Sequence, residues 1–256
     1  MSIHPTAVID PQAEIGPNVA IGAYCVIGPQ VSIGADCWLQ NHVTICGPVK
    51  IGARNRFHAF CSIGQQSQDL KYTDEPTFLE IGEGNSFREF VTVNRATAVN
   101  SVTRVGDRGN FLAYSHIAHD CVVENDVIFS NNGTLAGHVL VQNHAVIGGL
   151  TAIHQFCRIG CHAITGGCSK IVQDVPPFMI ADGNPAVIRG VNAIGLERRG
   201  FDAEVIRSLK EAYRVLYRSN LNTKQAIEEL SKSFGEVKEV GQLIAFVEGS
   251  QRGIIR

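Results

Sequence analysis

The sequence predicts an all-β solenoid, a triangular prism of stacked coils, closed by a small α-helical C-terminal domain. Three observations predict it: an apolar residue at every sixth position, glycines beside many of those residues, and a change to helical spacing near the end. Stepping by six from Ile3 to Ile171 meets 29 positions, and only Asp69, Glu75 and Thr165 are not apolar. Neither a helix of period 3.6 nor long alternating strands produces a strict six. A short strand followed by a turn does, and three such hexads close an 18-residue coil.

Each part of the hexad has a physical reason. The register residue, such as Ile21, Ile27 or Ile33, points inward. Four places later comes a small or β-branched residue, such as Val19, Cys25 or Cys37, that fits the narrowing corner. Glycine often follows the register residue, as at Gly16, Gly22, Gly28 and Gly34, where it is expected to take turn conformations that a Cβ resists. Successive coils pair as parallel strands about 4.8 Å apart, and no coil buries its apolar side alone. The pattern resembles the hexapeptide-repeat family of left-handed parallel β-helices, and the left hand is implied by that resemblance.

The solenoid is expected over residues 1–190 and the helical domain over 191–256. Two polar detours leave the prism, Gln65 to Glu80 and Asn94 to Arg104, and the register resumes in phase because the register residues flanking each, Ile63 and Ile81 and then Val93 and Val105, are a multiple of six apart. Long polar loops on a rigid scaffold commonly carry function. After Pro176-Pro177 the hexads fade. A helix is expected after Asp202, which would cap it, with two more over Thr223–Ser233 and Val237–Glu248. These helices would cover the unpaired edge of the last coil.

Composition excludes several classes. A net charge of −2 argues against a partner held by bulk electrostatics, so no nucleic acid is expected. No run of about 18 apolar residues occurs, and the start lacks a secretory pattern, so a cytoplasmic protein without a membrane span is expected. The eight cysteines include no Cys-x-x-Cys pair, and most fall in the small inward slot, where a thiol acts as a compact hydrophobe.

Polar residues gather late in the solenoid: His116, His119-Asp120, Gly137-His138, His144 and His154-Gln155. Steps of 18 stack His119, Gly137 and Gln155, and set Asp120 beneath His138. His4, His42 and His58 are read as corner residues with local hydrogen bonds. Imidazole suits proton transfer near neutral pH. Two chemistries compete for the cluster. Zinc enzymes on related solenoids use a His-x-x-x-x-His pair, and no two histidines here are five apart. Acyl transfer needs a base for a hydroxyl or amine and a backbone N–H for the oxyanion, which the Gly137 turn above His119 would supply.

Longer motifs make a resemblance specific. Ser115–Cys121, Leu135–Val139, Ile153–Cys157, Gln68–Tyr72 with Glu75–Thr77, Gly166–Ser169, Gln173–Pro177 and the segment from Asn192 to Phe201 are similar to the bacterial UDP-N-acetylglucosamine O-acyltransferase family, which begins lipid A synthesis. The match runs through the whole chain to Arg252–Arg256. The resemblance implies that His119 is the general base, Asp120 orients it, and Gly137 provides the oxyanion N–H. It implies that Asp69, Lys71, His116, His138 and His154 contact the sugar and acyl group. Gln155, Asn192, Arg198 and Arg199 would lie near the nucleotide or the carrier arm, and Gly167 would leave the acyl groove open to a chain near fourteen carbons.

The implied enzyme is a homotrimer that uses no metal and no cofactor. An acyl carrier protein thioester is its co-substrate and UDP-N-acetylglucosamine its acceptor. Two departures bear on the sugar, UDP-N-acetylglucosamine or its 3-amino analogue: Asn94-Arg95-Ala96-Thr97 replaces the usual His-Arg-Gly-Thr, and Ile194 replaces a frequent Glu. A related N-acyltransferase is the alternative; it normally carries an extra N-terminal domain. A non-catalytic binding platform is a third reading, and it gives no reason for stacked histidines. Arg207, Lys210, Arg214 and Arg218 form a positive stripe on the first long tail helix, expected to dock the acidic carrier protein.

Overall fold

The computed structural model describes residues 2–256. Short strands repeat along the chain from Ser2–Ile3 to Ala186–Val191 and sort into three faces of eleven, nine and eight strands. On the first face Ile3 pairs with Ile21 and Ile21 with Leu39, each a step of 18. The step grows to 30 between Ile63 and Val93, and to 24 between Val93 and Ile117, then returns to 18 at Leu135. The detours therefore add 12 and 6 residues, and the inward phase is kept. At about 4.8 Å per rung the ten parallel strands of the first face span about 43 Å.

Register residues fill the prism. Phe57, Phe87, Phe111 and Phe129 stack along its axis with centroids 5.0, 4.8 and 5.3 Å apart. Thr165, one of the three polar register residues, is buried, and its Oγ1 accepts the Gly148 N–H at 2.9 Å. Cys25, Cys37, Cys61, Cys121 and Cys157 are buried in the small slot. Burial pushes the Cys61 and Cys121 thiols up to about 12, so they behave as packing groups.

The glycines act differently from expectation. Positive φ falls mostly on the residue three after the register position, including His42, Phe60, Asp120, His138 and Phe156. Gly22 and Gly34 instead lie where one coil crowds the next. A Cβ at Gly22 would sit 2.5 Å from the Gln40 carbonyl oxygen, and one at Gly34 would sit 2.6 Å from the Gly52 carbonyl carbon. Close approach, rather than turn conformation, demands glycine there.

The solenoid ends in a feature the hexads do not announce. Met179–Gly183 pairs antiparallel with Ala186–Val191, a hairpin that closes the first face. Four helices follow: α1 (Ala193–Arg198), α2 (Ala203–Arg218), α3 (Thr223–Phe234) and α4 (Lys238–Glu248). Helix α2 buries Ile206, Leu209, Ala212 and Leu216 at helical spacing. Asp202 occupies its N-cap position but makes no side-chain capping bond, whereas Asn222 and Gln225 form a reciprocal capping box on α3. The tail covers the last coil through Asp174, which takes the Ser250 hydroxyl at 2.7 Å and the Ile255 N–H at 2.9 Å. No helix among the described residues is long and apolar enough to cross a membrane.

Candidate active site

The corner between the second and third faces gathers the imidazoles. The His138 N–H donates to the His119 carbonyl and the Phe156 N–H to the Gly137 carbonyl, each at 3.1 Å, so successive turns lie directly above one another. His119 is buried, and its Nδ1 lies 2.8 Å from Asp120 Oδ2. A carboxylate accepts, so Nδ1 carries the proton and Nε2 presents a lone pair. Asp120 is fixed from two sides: its Oδ2 takes the Thr97 N–H at 3.1 Å, and its own N–H donates to Thr103 Oγ1 at 2.8 Å. His138 stands edge-on to His119 with centroids 5.3 Å apart, and its other face stacks on Phe156 at 4.6 Å.

Gly137 is required by this packing. A Cβ there would fall 2.3 Å from His119 Cε1 and 2.6 Å from Nε2. Its amide N–H makes no hydrogen bond among the described residues, so it remains a donor beside the imidazole. A groove of about 580 Å³ opens from this corner over the second face. His116, Thr134, Ala152 and Lys170 line it in register, with Gln68 and Asp69 of the first detour as a rim. His116 Nδ1 meets Thr92 Oγ1 at 2.7 Å, and burial, then the neighbouring His119, holds its pKa below the ordinary histidine value. A hollow of about 570 Å³ on the third face has no imidazole, and its Glu80 and Arg104 pair with each other. The chemistry belongs to the first groove.

The detours hold each other and the corner. Ser67 Oγ and Thr97 Oγ1 are 2.6 Å apart, and the Arg95 N–H donates to the Gln65 carbonyl at 2.8 Å. Asn94 is buried and donates to the Gln66 carbonyl at 2.9 Å, so this departure from the family motif ties the loops together. Asp69 Oδ1 accepts the Lys71 N–H at 2.9 Å, and Lys71 is exposed. His154 and Gln155 are exposed at the groove, with His154 Nδ1 3.2 Å from the Gln155 carbonyl. Sequence reasoning missed Thr97, whose contribution is a backbone N–H that no side chain announces. It also missed Thr92, which the 24-residue step would reveal once the size of the detour is known.

Other expected residues lie elsewhere on the chain. His144 does not join the imidazole corner: it sits on the corner between the third and first faces, 18 residues from both Asp126 and His162. Asn192 and Arg199 are on that same corner. Asn192 is buried with both amide atoms engaged, Nδ2 on the His162 carbonyl at 2.9 Å and Oδ1 under the Gly195 N–H at 3.1 Å. Arg199 donates to His144 Nδ1 at 2.8 Å, Arg198 is exposed in the last turn of α1, and Ile194 is exposed on that helix. Gly167 lies at the opposite end of the second face, where a Cβ would make only ordinary contact, its nearest atom being the Gly149 carbonyl oxygen at 3.5 Å. His119, Asp120 and His138 bring three ligand atoms within 4.8 Å of one another, yet Asp120 Oδ2 is already occupied by His119 and the Thr97 N–H.

Comparison with known proteins places the chain in a family. Residues 174–255 match the second domain of the UDP-N-acetylglucosamine O-acyltransferase family, and residues 1–35 match the bacterial transferase hexapeptide repeat. The acyl-[acyl-carrier-protein]–UDP-N-acetylglucosamine O-acyltransferase of Burkholderia orbicola is 48% identical over 259 aligned positions, 99% of each chain. This chain belongs to that family. Among solved structures, the family member from Acinetobacter baumannii superposes with a TM-score of 0.96 at 44% identity, covering 99% of each chain. The member from Moraxella catarrhalis gives 0.96 at 42% identity, with full coverage of both. The solenoid is thus the left-handed parallel β-helix of the UDP-N-acetylglucosamine O-acyltransferases.

Proposed function

We propose that this chain transfers a 3-hydroxyacyl group from acyl carrier protein to the glucosamine 3-hydroxyl of UDP-N-acetylglucosamine, the first step of lipid A biosynthesis. The observation that carries the mechanism is the buried His119–Asp120 pair with Nε2 free at the mouth of the groove. His119 Nε2 takes the proton as the sugar oxygen attacks the thioester carbonyl. Asp120 holds the ring and stabilises the imidazolium. The Gly137 N–H donates to the oxyanion, and the proton then passes to the departing thiolate. No metal or cofactor enters this scheme. Asp69, Lys71, His116, His138 and His154 hold the sugar and acyl group. Gln155, Asn192, Arg198 and Arg199 serve the nucleotide or the carrier arm. Gly167 leaves room for a chain near fourteen carbons.

The working unit is a homotrimer, supported by where the chain puts its parts. The imidazole corner and the Arg199 corner are separated by one coil side of six residues, about 20 Å at about 3.3 Å each. The remaining corner carries a stacked ladder of Tyr24, His42, Phe60, Phe90 and Tyr114 with centroids 4.8–5.1 Å apart. Its four phenyl and phenol rings are 41–58% exposed. Packing three such ladders together sets the second face of one copy against the next, so that the Arg199 corner of one copy meets the imidazole corner of another. The cytoplasm, where both substrates are made, is its place of action.

The direct test is His119→Ala assayed with acyl carrier protein thioester and UDP-N-acetylglucosamine. Transfer should fall by about 10²–10⁴-fold with the fold retained. Activity near that of the parent would remove His119 as the base.

A further inference from the structure

Arg199 is held by a chain of groups that neither the motifs nor the reaction scheme assigns. Arg108 grips Asp126 with two bonds, Nε to Oδ1 at 2.9 Å and a terminal nitrogen to Oδ2 at 2.8 Å. Asp126 Oδ2 lies 3.9 Å from His144 Nδ1, and that same Nδ1 is the partner of Arg199 at 2.8 Å. The His144 ring lies against His162 at 4.7 Å, and His162 stacks in turn on Phe178 and meets Phe201 edge-on. Asp126, His144, His162 and Phe178 are successive corner residues of positive φ, which is why their side chains align.

The chemistry of this contact has one solution. A guanidinium only donates, so His144 Nδ1 must be unprotonated and accept. The neutral imidazole with its proton on Nε2 is the one form that holds Arg199. A proton on Nδ1 would remove the lone pair and place a cation between Arg108 and Arg199.

We propose that His144 is a positioning residue that aims Arg199 at the phosphates of the nucleotide sugar, and that its protonation releases this grip at acid pH. The inference rests on the reading of the Arg199 corner as the nucleotide site. The charged and titratable groups facing His144 are Asp126 and Arg108 below it, His162 above, and Arg199 from the end of α1. Burial, then Arg199, keeps the His144 pKa below 6.5, so the neutral form prevails at neutral pH and is lost as pH falls beneath the ordinary histidine range.

The test compares KM for UDP-N-acetylglucosamine across pH in three variants of the full-length enzyme. His144→Phe keeps the ring against His162 but removes the acceptor; it should raise this KM about two- to tenfold at neutral pH with little change in kcat. His144→Asn, whose carbonyl oxygen overlies Nδ1 and does not titrate, should restore the KM and abolish its extra rise at acid pH. Arg199→Ala should raise KM at every pH. If Arg199→Ala raises KM and His144→Phe does not, the positioning role is overturned while the nucleotide reading stands. If Arg199→Ala leaves KM unchanged, the nucleotide reading itself falls and takes the inference with it.

Discussion

At the scale of single residues, the site depends on tolerances of a few tenths of an ångström. Gly137→Ala adds one carbon that would collide with the His119 ring. The imidazole must swing away from Asp120, and transfer should drop by about 10²-fold while the melting temperature of the solenoid holds; a variant as active as the parent would contradict the packing. His162 offers a second test. Burial, then His144 and Arg199, lowers its pKa to about 4. The unfolded chain takes up this proton near pH 6.5 and the folded one only near 4, so between those values unfolding binds more protons. Stability should therefore decline as pH falls from about 6.5 to about 4, and His162→Phe, which keeps the ring stacked, should flatten that decline in thermal melts. His42 shows where residue-level reading stops. Its expected local hydrogen bond is replaced by stacking between Tyr24 and Phe60, a partnership set by neighbours 18 residues away.

At the scale of elements, the hexad made the solenoid legible because every sixth side chain faces inward, and a period of six leaves few alternatives. The detours were visible as breaks in that period, and their in-phase return followed from their length. The hairpin over residues 179–191 was not legible, since its turn falls among Gly183, Asn184 and Pro185 after the hexads have faded. The imidazole corner was readable by adding 18, but the same arithmetic applied to His144 assigns it to another corner. Counting turns fixes height along the prism; only the position within the coil fixes the side. The basic stripe on α2 also changes in the structure. All four of its residues are exposed, yet Arg207 pairs with Glu204 and Arg214 with Glu211, while Arg218 lies over Tyr213. Lys210 has no ion-pair partner among the described residues. Docking of an acidic carrier protein should therefore lean on Lys210, and Lys210→Glu should raise the carrier KM more than Arg207→Glu does. Equal or absent effects would remove α2 from the docking surface.

At the scale of the whole molecule, the proposed trimer predicts that assembly and activity fail together. Replacing Phe60 and Phe90 by Asp puts charge into the exposed aromatic ladder without touching the groove. Sedimentation should then show single copies in place of three, and transfer should fall in parallel. Trimers that persist with full activity would move the interface to another surface.

The left-handed backbone at most turns of the prism has a consequence for how such an enzyme changes over time. It costs about 1 kcal/mol per non-glycine residue, and it throws one side chain per turn outward along each arris of the prism. Along the aromatic edge each such group stacks on those one storey above and below. Substitutions can thus rewrite an edge rung by rung while the interior stays as it was, which lets aromatic, imidazole and ionic edges diverge independently on one shared frame.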